Sequence, residues 1–397
     1  MKSHVKGKQG SEPILKTAYY AVFAIKGRSP HRYPAKTLRP KPYQYFHLTG
    51  TIETMHKTNL GDLSRADLEK VLRILGGKTA AASSVFLKYY KKREGELDCL
   101  STKLWDKLIK KYPPTQNFPA EKKVSSKDGT SKFLIKFEDG APAECVLLHG
   151  KDGRTTACLS SQSGCPCGCK FCATGKLGFR RNLYPSEILA QFKTILAEAG
   201  HIDSIVFMGM GEPFLNWDNV QKAIMILSDP KAFAFSQGKI TVSTVGIMPI
   251  IEELISSPLK IKLAVSVITS SDEKRAKIAP MQEKYPISRV LELAGRYAAA
   301  KKTQVLAEYI LFEGENDTME DAESLIGMLK NVSCRVNLIP VNRGKPDYGI
   351  DRIAQAKAFQ QRLMDAGFRT YMRMEKGSDI AAACGQLAAE SEKESPC

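Results

Sequence analysis

A regular alternation of strand and helix patterns over residues 155–366 constrains the fold of this chain more than any other feature of its sequence. Short apolar runs rich in β-branched residues are each followed by a segment with helical periodicity. Such repeats are typical of parallel sheets, because the chain has to cross back over the sheet between two parallel strands. The sequence therefore predicts an α/β fold with six strand–helix units. The repeat alone does not distinguish a barrel from an open doubly wound sheet.

The patterns also predict where the individual elements lie. We expect strands at 155–160, 203–209, 239–244, 261–267, 304–311 and 334–340, each followed by a helix, at 185–199, 216–228, 248–256, 287–301, 318–330 and 351–366. Upstream, helical patterns at about 66–76, 83–94 and 103–112 predict a small helical module. Two strand patterns, Phe133–Phe137 and Glu144–Leu148, predict a hairpin after a linker at Tyr112–Lys127.

These patterns divide the chain into five predicted segments. They are a basic irregular arm (1–57), a small helical accessory domain (58–115), a linker with a β-hairpin (116–150), a strand–helix core (151–390) and a tail (391–397).

The net charge of +17 is concentrated in the N-terminal third of the chain. Residues 1–130 hold 26 Lys and Arg against 11 Asp and Glu, whereas residues 131–397 hold 33 against 31. This distribution favours a polyanion-binding appendage beside a nearly neutral body. A solvated basic surface is the plainer alternative, and for the arm an organelle-targeting segment is another.

The sequence predicts a protein of the cytoplasm. No apolar run is long enough to cross a bilayer, and the N-terminus lacks the pattern of a secretory signal. The chain has ten cysteines, and without a secretory signal these favour metal or catalytic roles in a reducing compartment over structural disulfides.

Four cysteines crowd into eight residues directly after the first strand of the repeat. Cys165, Cys169 and Cys172 have the spacing C-x3-C-x2-C, with Cys167 between them. Three thiolates can bind three irons of a 4Fe–4S cluster and leave the fourth iron open to a small ligand. A zinc site that uses all four cysteines is the main alternative, although zinc sites usually combine two separated pairs. The three-then-two spacing favours the cluster, with Cys167 as a spectator.

A glycine-rich segment closes the second strand of the repeat. Gly211 at a strand end permits the close approach of a ligand, and Glu212 can accept a hydrogen bond from an amino group.

Taken in order, these motifs resemble one family, the dual-cysteine radical AdoMet rRNA adenine methyltransferases (the RlmN/Cfr family). The resemblance covers roughly residues 130–390. Besides the cysteine loop, it rests on Thr156–Gln162, Phe179–Leu183, Met208–Pro213, Val242–Thr244, Val336–Asn342 and Asp379–Leu387.

The resemblance implies a fold, two cofactors and a set of site residues. The core of 151–390 is expected to be a partial (βα)6 radical AdoMet barrel. The implied cluster ligands are Cys165, Cys169 and Cys172, and the implied AdoMet-contacting residues are Gly211, Glu212, Ser243, Ser266 and Asn342. Cys384 matches the cysteine that is methylated on sulfur, Cys158 matches the second catalytic cysteine, and Glu144 matches a carboxylate proposed as proton acceptor.

The resemblance also implies a reaction. The substrate is an adenine of 23S rRNA, with tRNA as a second candidate, and the new methyl group is attached at carbon 2 or carbon 8. One AdoMet methylates Cys384, and a second supplies the radical that activates this methyl group, so two are used per turnover. Cys158 then resolves the thioether between protein and RNA and leaves a disulfide. Flavodoxin or ferredoxin is the expected type of electron donor.

Two other functions stay open at this stage. One is a radical AdoMet enzyme that uses the same mechanism on a different RNA or on a peptide. The other is a non-catalytic RNA-binding protein that retains a remnant cluster. Two positions depart from the family pattern: Ile268 stands where the family usually has a histidine, and Ala381 where it usually has an aspartate.

Overall fold

The structure is a computed structural model and describes residues 58–91, 100–340, 350–373 and 376–388. The predicted basic arm (1–57), the predicted tail (391–397) and Asn342 lie outside the described residues.

The described residues form twelve strands and eleven α-helices. The strands are β1 (Ala120–Ser125), β2 (Ser131–Lys136), β3 (Pro142–His149), β4 (Thr155–Cys158), β5 (Gln162–Gly164), β6 (Phe179–Asn182), β7 (Ser204–Phe207), β8 (Ile240–Thr244), β9 (Lys262–Ile268), β10 (Val305–Leu311), β11 (Cys334–Pro340) and β12 (Thr370–Met372). The helices are α1 (Arg65–Ile74), α2 (Ala81–Lys91), α3 (Thr102–Lys111), α4 (Ala173–Leu177), α5 (Pro185–Ala199), α6 (Trp217–Ser228), α7 (Met248–Ser256), α8 (Asp272–Ile278), α9 (Ile287–Lys301), α10 (Met319–Leu329) and α11 (Ile350–Asp365).

One mixed sheet organises the fold. Its strand order is β1-β2-β3-β4-β7-β8-β9-β10-β11-β12. The seven strands of this sheet that run from β4 to β12 are all parallel. The predicted α/β fold with six strand–helix units is therefore confirmed. Within the described residues the sheet runs from an edge at β1 to an edge at β12, as a partial barrel does. The short parallel strand β12 was not predicted, because three residues are too few to show a periodicity.

The antiparallel part of the sheet is larger than the sequence predicts. The expected hairpin is present as β2 and β3, but β1 adds a third strand inside the segment interpreted as a linker. Most of β1 is exposed, and its sequence AEKKVS lacks an apolar alternation. An edge strand rich in lysine gives no hydrophobic pattern from which it can be recognised.

Local signals set the ends of several core helices. Helix α5 has Pro185 in its first turn, and the Glu187 carboxylate accepts a hydrogen bond from the backbone N–H of Tyr184 at 2.8 Å. It ends at Gly200, which has a φ of 70°. Helix α10 begins at a capping box formed by Thr318 and Asp321.

The helical module and the barrel share one hydrophobic core. Leu68, Leu72, Phe86 and Leu108 of the module belong to the same buried cluster as the side chains beneath the parallel strands. The predicted division of the chain into five segments stays a prediction. No helix in the described part of the chain is long and apolar enough to cross a membrane.

Candidate active site

A cavity of about 400 Å³ opens at the carboxyl ends of the parallel strands. Ligand sites in parallel α/β folds lie at this edge, because the loops that leave the strands converge there. The cavity brings together most of the residues predicted from the sequence: Cys158, Cys165, Cys169, Cys172, Gly211, Glu212, Ser243, Ser266 and Cys384. Cys167, Glu308 and Arg373 also line it. Glu144 is buried and is not among its lining residues.

The cysteine loop lies between β5 and α4 and is held in place by backbone hydrogen bonds. The N–H of Cys165 donates to the carbonyl of Gly178 at 2.9 Å, and the N–H of Cys172 donates to that of Cys169 at 3.1 Å. Gly164 has a φ of 78°, and a Cβ there would lie 2.0 Å from the Gly178 oxygen. Only glycine permits the chain to enter the loop at this close approach.

A hydrogen bond couples the thiols of Cys165 and Cys167. A hydrogen bond with Cys167 lowers the pKa of the Cys165 thiol, whereas the same contact and burial raise the pKa of Cys167. The two thiols thus form one hydrogen-bonded pair. The interpretation of Cys167 as a spectator stays a prediction.

The donor set fits an iron–sulfur cluster. Burial raises the pKa of Cys169 to about 12 and also raises that of Cys172, so their thiolates need a cationic centre to compensate them. Apolar side chains, including Phe171, Ile268 and Phe312, surround the loop. Among the described residues, no three His, Cys, Asp or Glu side chains converge as ligands of one metal ion. Thiolates that bind three different irons do not have to converge in this way.

The segment Gly209–Glu212 forms the second wall of the cavity. Gly211 has a φ of 97°, and a Cβ there would lie 2.5 Å from the Cβ of Gln162 and 2.8 Å from its backbone nitrogen. The N–H of Glu212 donates to Oε1 of Gln162 at 2.8 Å. Gln162, one of the residues that carried the resemblance, therefore holds this turn in place.

The Glu212 carboxylate connects two strand ends. Its oxygens accept hydrogen bonds from the N–H of Phe214 at 2.9 Å and from that of Val245 at 2.8 Å. Burial raises the pKa of Glu212 from 4.5 to about 7. A bound ammonium group would favour the ionised form of this buried carboxylate, which suits the predicted contact with the amino group of AdoMet.

A buried arginine that sequence reasoning missed ties the neighbouring strand ends together. Arg275 is fully buried, and its guanidinium donates to the carbonyls of Val245 (2.6 Å), Ser266 (3.2 Å) and Val267 (3.2 Å). It also donates to Oε1 of Gln282 at 2.6 Å. Burial lowers its pKa to about 10. The segment DEKRAKI is so rich in charge that it resembles a solvated helix, and no local signal marks Arg275 as internal.

The two cysteines predicted to be catalytic line the same cavity. Cys158 is buried at the end of β4, whereas Cys384 is exposed on the C-terminal segment, and both are free thiols. Burial raises the pKa of Cys158 to about 12, and the positive charge of Arg373 acts in the opposite direction. The negative charge of a Cys384 thiolate raises the pKa of Arg373, whose Nη1 also lies 3.9 Å from Oε1 of Glu308. Arg373 is therefore a cation beside both cysteines.

Glu144 lies behind the segment that carries Cys384. Its Oε1 is 2.9 Å from Nζ of Lys132, and its Oε2 accepts a hydrogen bond from the N–H of Ala388 at 2.9 Å. The structure thus brings Glu144 close to the Cys384 segment.

Both departures from the family pattern have positive φ values. Ile268 has a φ of 73° and is fully buried beside the cysteine loop, and Ala381 has a φ of 51°. A left-handed conformation is unusual for a β-branched residue, so the backbone at Ile268 is strained.

Comparisons with known proteins agree with this geometry. The model of the Radical SAM superfamily matches residues 159–326. A dual-specificity RNA methyltransferase RlmN from Syntrophus aciditrophicus is 38% identical, with 86% of this chain and 99% of that protein covered. Another protein of that name, from Syntrophotalea carbinolica, is 36% identical, with 82% and 89% covered. The crystal structure of a radical SAM methyltransferase from Sphaerobacter thermophilus matches with a TM-score of 0.75 at 36% identity, with 84% and 100% covered.

The partial barrel, the cysteine loop at its carboxyl edge and the matching superfamily model define a radical SAM enzyme. Such enzymes use a 4Fe–4S cluster and AdoMet. Within this class, the chain belongs to the RlmN family of radical SAM RNA methyltransferases, which confirms the family predicted from the sequence.

Proposed function

We propose that this protein attaches a methyl group to carbon 2 or carbon 8 of an adenine in 23S rRNA, with tRNA as a second candidate substrate, and that it works in the cytoplasm. One observation carries the proposal. Cys158 and Cys384 line the same cavity as the three loop cysteines and the Gly211–Glu212 turn. A catalyst that methylates a non-nucleophilic ring carbon needs its sulfur carrier beside the source of the radical.

Two sets of residues are the proposed holders of the two cofactors. Cys165, Cys169 and Cys172 are the proposed ligands of the 4Fe–4S cluster. The proposed AdoMet contacts are Gly211, Glu212, Ser243, Ser266 and Asn342. When bound, the cluster and AdoMet supply a transferable methyl group and a carbon-centred radical. The use of two AdoMet molecules per turnover, and of flavodoxin or ferredoxin as the electron donor, belongs to the same proposal.

Cys384 is the proposed carrier of the methyl-derived carbon. Its exposure within the cavity allows the sulfur to meet both AdoMet and an incoming base. Attachment of the carbon to the adenine ring gives a thioether between the protein and the RNA, and Glu144 is the proposed acceptor of the ring proton.

Cys158 is the proposed resolving cysteine. Its thiolate attacks the Cys384 sulfur, so that a sulfur–sulfur bond forms as the carbon–sulfur bond to the RNA breaks. The carbon attached to adenine keeps the electron pair of the broken bond and takes up a proton, which completes the methyl group. The resulting disulfide is then reduced by a cellular dithiol. Burial disfavours the Cys158 thiolate that this step requires. The positive charge of Arg373 stabilises the thiolate and so supports the step.

The test combines labelled AdoMet with mass spectrometry of both the protein and the RNA. After anaerobic reconstitution of the cluster, we expect a labelled methyl group on Cys384 and labelled methyladenine in ribosomal RNA. Cys158→Ala should trap the adduct of protein and RNA. Cys334→Ala is the matched control, because Cys334 is also a buried thiol but does not line the cavity. An unmodified Cys384 in protein with an intact cluster would contradict the proposal.

A further inference from the structure

The segment that carries Cys384 contacts a largely buried ion pair on the neighbouring hairpin. Ala382–Leu387 line the cavity, and this stretch contains no α-helix or strand. A reactive side chain on such a segment needs fixed points on rigid elements.

Lys132 and Glu144 supply two of these fixed points. They lie on β2 and β3, where Lys132 is paired with Val146 and Glu144 with Leu134, so both side chains are on the same face of the hairpin. Their charged atoms are 2.9 Å apart, and the side chains are only 15% and 6% exposed.

Each partner of the ion pair also contacts the backbone beside Cys384. Nζ of Lys132 donates to the carbonyl of Ala381 at 3.2 Å, and Oε2 of Glu144 accepts from the N–H of Ala388 at 2.9 Å. These backbone groups lie three residues before and four residues after Cys384. One ion pair therefore holds both ends of the segment.

The opposite side of the segment is attached to the helix that follows the cysteine loop. The N–H of Ala173 donates to the carbonyl of Gly385 at 2.7 Å, and the hydroxyl of Thr174 donates to that of Leu387 at 2.6 Å. The segment thus lies between the ion pair and the residues next to Cys172. Its two flanks position Cys384 relative to the proposed cluster.

We infer that the Lys132–Glu144 ion pair is a positioning clamp that holds Cys384 over the cavity, and that Lys132 is a positioning residue for the reaction. The inference rests on the proposed function in taking Cys384 as the methyl carrier. It gives Glu144 a task that does not depend on proton transfer, and it assigns a role to Lys132, which motif reasoning did not single out.

The first test measures the mobility of the segment without any turnover. In full-length protein without AdoMet or RNA, Lys132→Met should accelerate hydrogen exchange at the Ala388 amide by about tenfold or more, because the carboxylate that accepts this hydrogen bond loses its contact with Lys132. Lys132→Arg should restore most of the protection. Lys136→Met is the matched control, since Lys136 lies on the same strand in an exposed ion pair with Glu121 at 2.8 Å. It should leave exchange over 381–388 unchanged.

A second variant separates loss of the clamp from loss of the fold. Lys132→Met removes the ion pair between Lys132 and the buried Glu144 charge, which can destabilise the whole protein. The double variant Lys132→Met/Glu144→Gln removes that charge and should still show rapid exchange confined to 381–388. Unchanged exchange in this double variant would overturn the inference.

The kinetic test follows methylation of Cys384 itself. Lys132→Met should slow this step by about tenfold to a hundredfold at saturating AdoMet with the KM for AdoMet unchanged, because the sulfur is misplaced while the AdoMet contacts remain. Lys132→Arg should recover most of the rate. A normal rate in Lys132→Met would refute the clamp. Absence of methylation in the wild-type protein, with the exchange results intact, would instead refute the proposed function and leave the structural clamp standing.

Discussion

Gly211→Ala should weaken both the fold and the binding of AdoMet. The backbone at Gly211 has a φ of 97°, and a Cβ there would lie 2.5 Å from the Cβ of Gln162 and 2.8 Å from its backbone nitrogen. The positive φ costs about 1–2 kcal/mol for a residue with a Cβ. The clash involves the Cβ and the backbone nitrogen of Gln162, whose positions no side-chain rotation changes, and it adds about 1–3 kcal/mol, as overpacking of a core does. The expected loss in the free energy of unfolding is therefore about 2–5 kcal/mol.

The assay is guanidinium unfolding of the variant, followed by calorimetric titration of AdoMet into reconstituted protein. The turn that carries Glu212 has to shift to relieve the clash, so we expect AdoMet affinity to fall by at least about tenfold, which corresponds to about 1.4 kcal/mol.

Gly327→Ala is the matched control for this substitution. Gly327 lies inside α10, and a Cβ there would meet nothing within 4 Å. This substitution should raise the free energy of unfolding by about 0.5–1 kcal/mol, because alanine has the higher helix propensity. Unfolding of Gly211→Ala at the wild-type midpoint, together with unchanged affinity for AdoMet, would contradict this prediction.

Three further predictions concern Arg275, Glu212 and Cys158. Arg275→Met should lower the free energy of unfolding by about 3 kcal/mol in a denaturant titration, because several buried carbonyls lose their donor; wild-type stability would contradict this. Burial raises the pKa of Glu212 from 4.5 to about 7 in the folded state, so the folded protein favours the protonated carboxyl group. The contribution of this protonation to the free energy of unfolding is complete below pH 4.5 and is lost as the pH rises through about 7. Cluster-free protein should lose stability over that interval, and an identical loss in Glu212→Gln would exclude this cause. Cys158→Ala should methylate Cys384 normally yet retain RNA on the protein, as detected by a gel shift in denaturant, and release of free RNA would exclude a resolving role.

Much of this protein is encoded in local patterns of its sequence. The six strand–helix units follow from hydrophobic periodicity, and the predicted helix at 287–301 is the observed α9 residue for residue. The cysteine loop and the Gly211–Glu212 turn are equally local, since residue spacing along the chain is enough to predict which side chains share a ligand. The ordered motifs together were sufficient to predict the family.

Other features have no local signal. The strand β1 is an exposed, lysine-rich edge, and α8 looks like a solvated helix although Arg275 inside it is fully buried. Hydrophobic periodicity indicates only which face of a segment is buried and which face is exposed. It does not show that a charged side chain is surrounded by carbonyls from two other strands.

The clamp on the Cys384 segment is a consequence of tertiary structure alone. Glu144 and the Ala388 amide that it binds are 244 residues apart in the chain, and Lys132 reaches Ala381 over 249 residues. The repeat, the cysteine spacing and the family can be predicted without the structure, because each depends on residue types at short separations along the chain. Only the folded sheet brings the β2–β3 hairpin against the C-terminal segment, because contacts over such separations form when the sheet and its core have assembled.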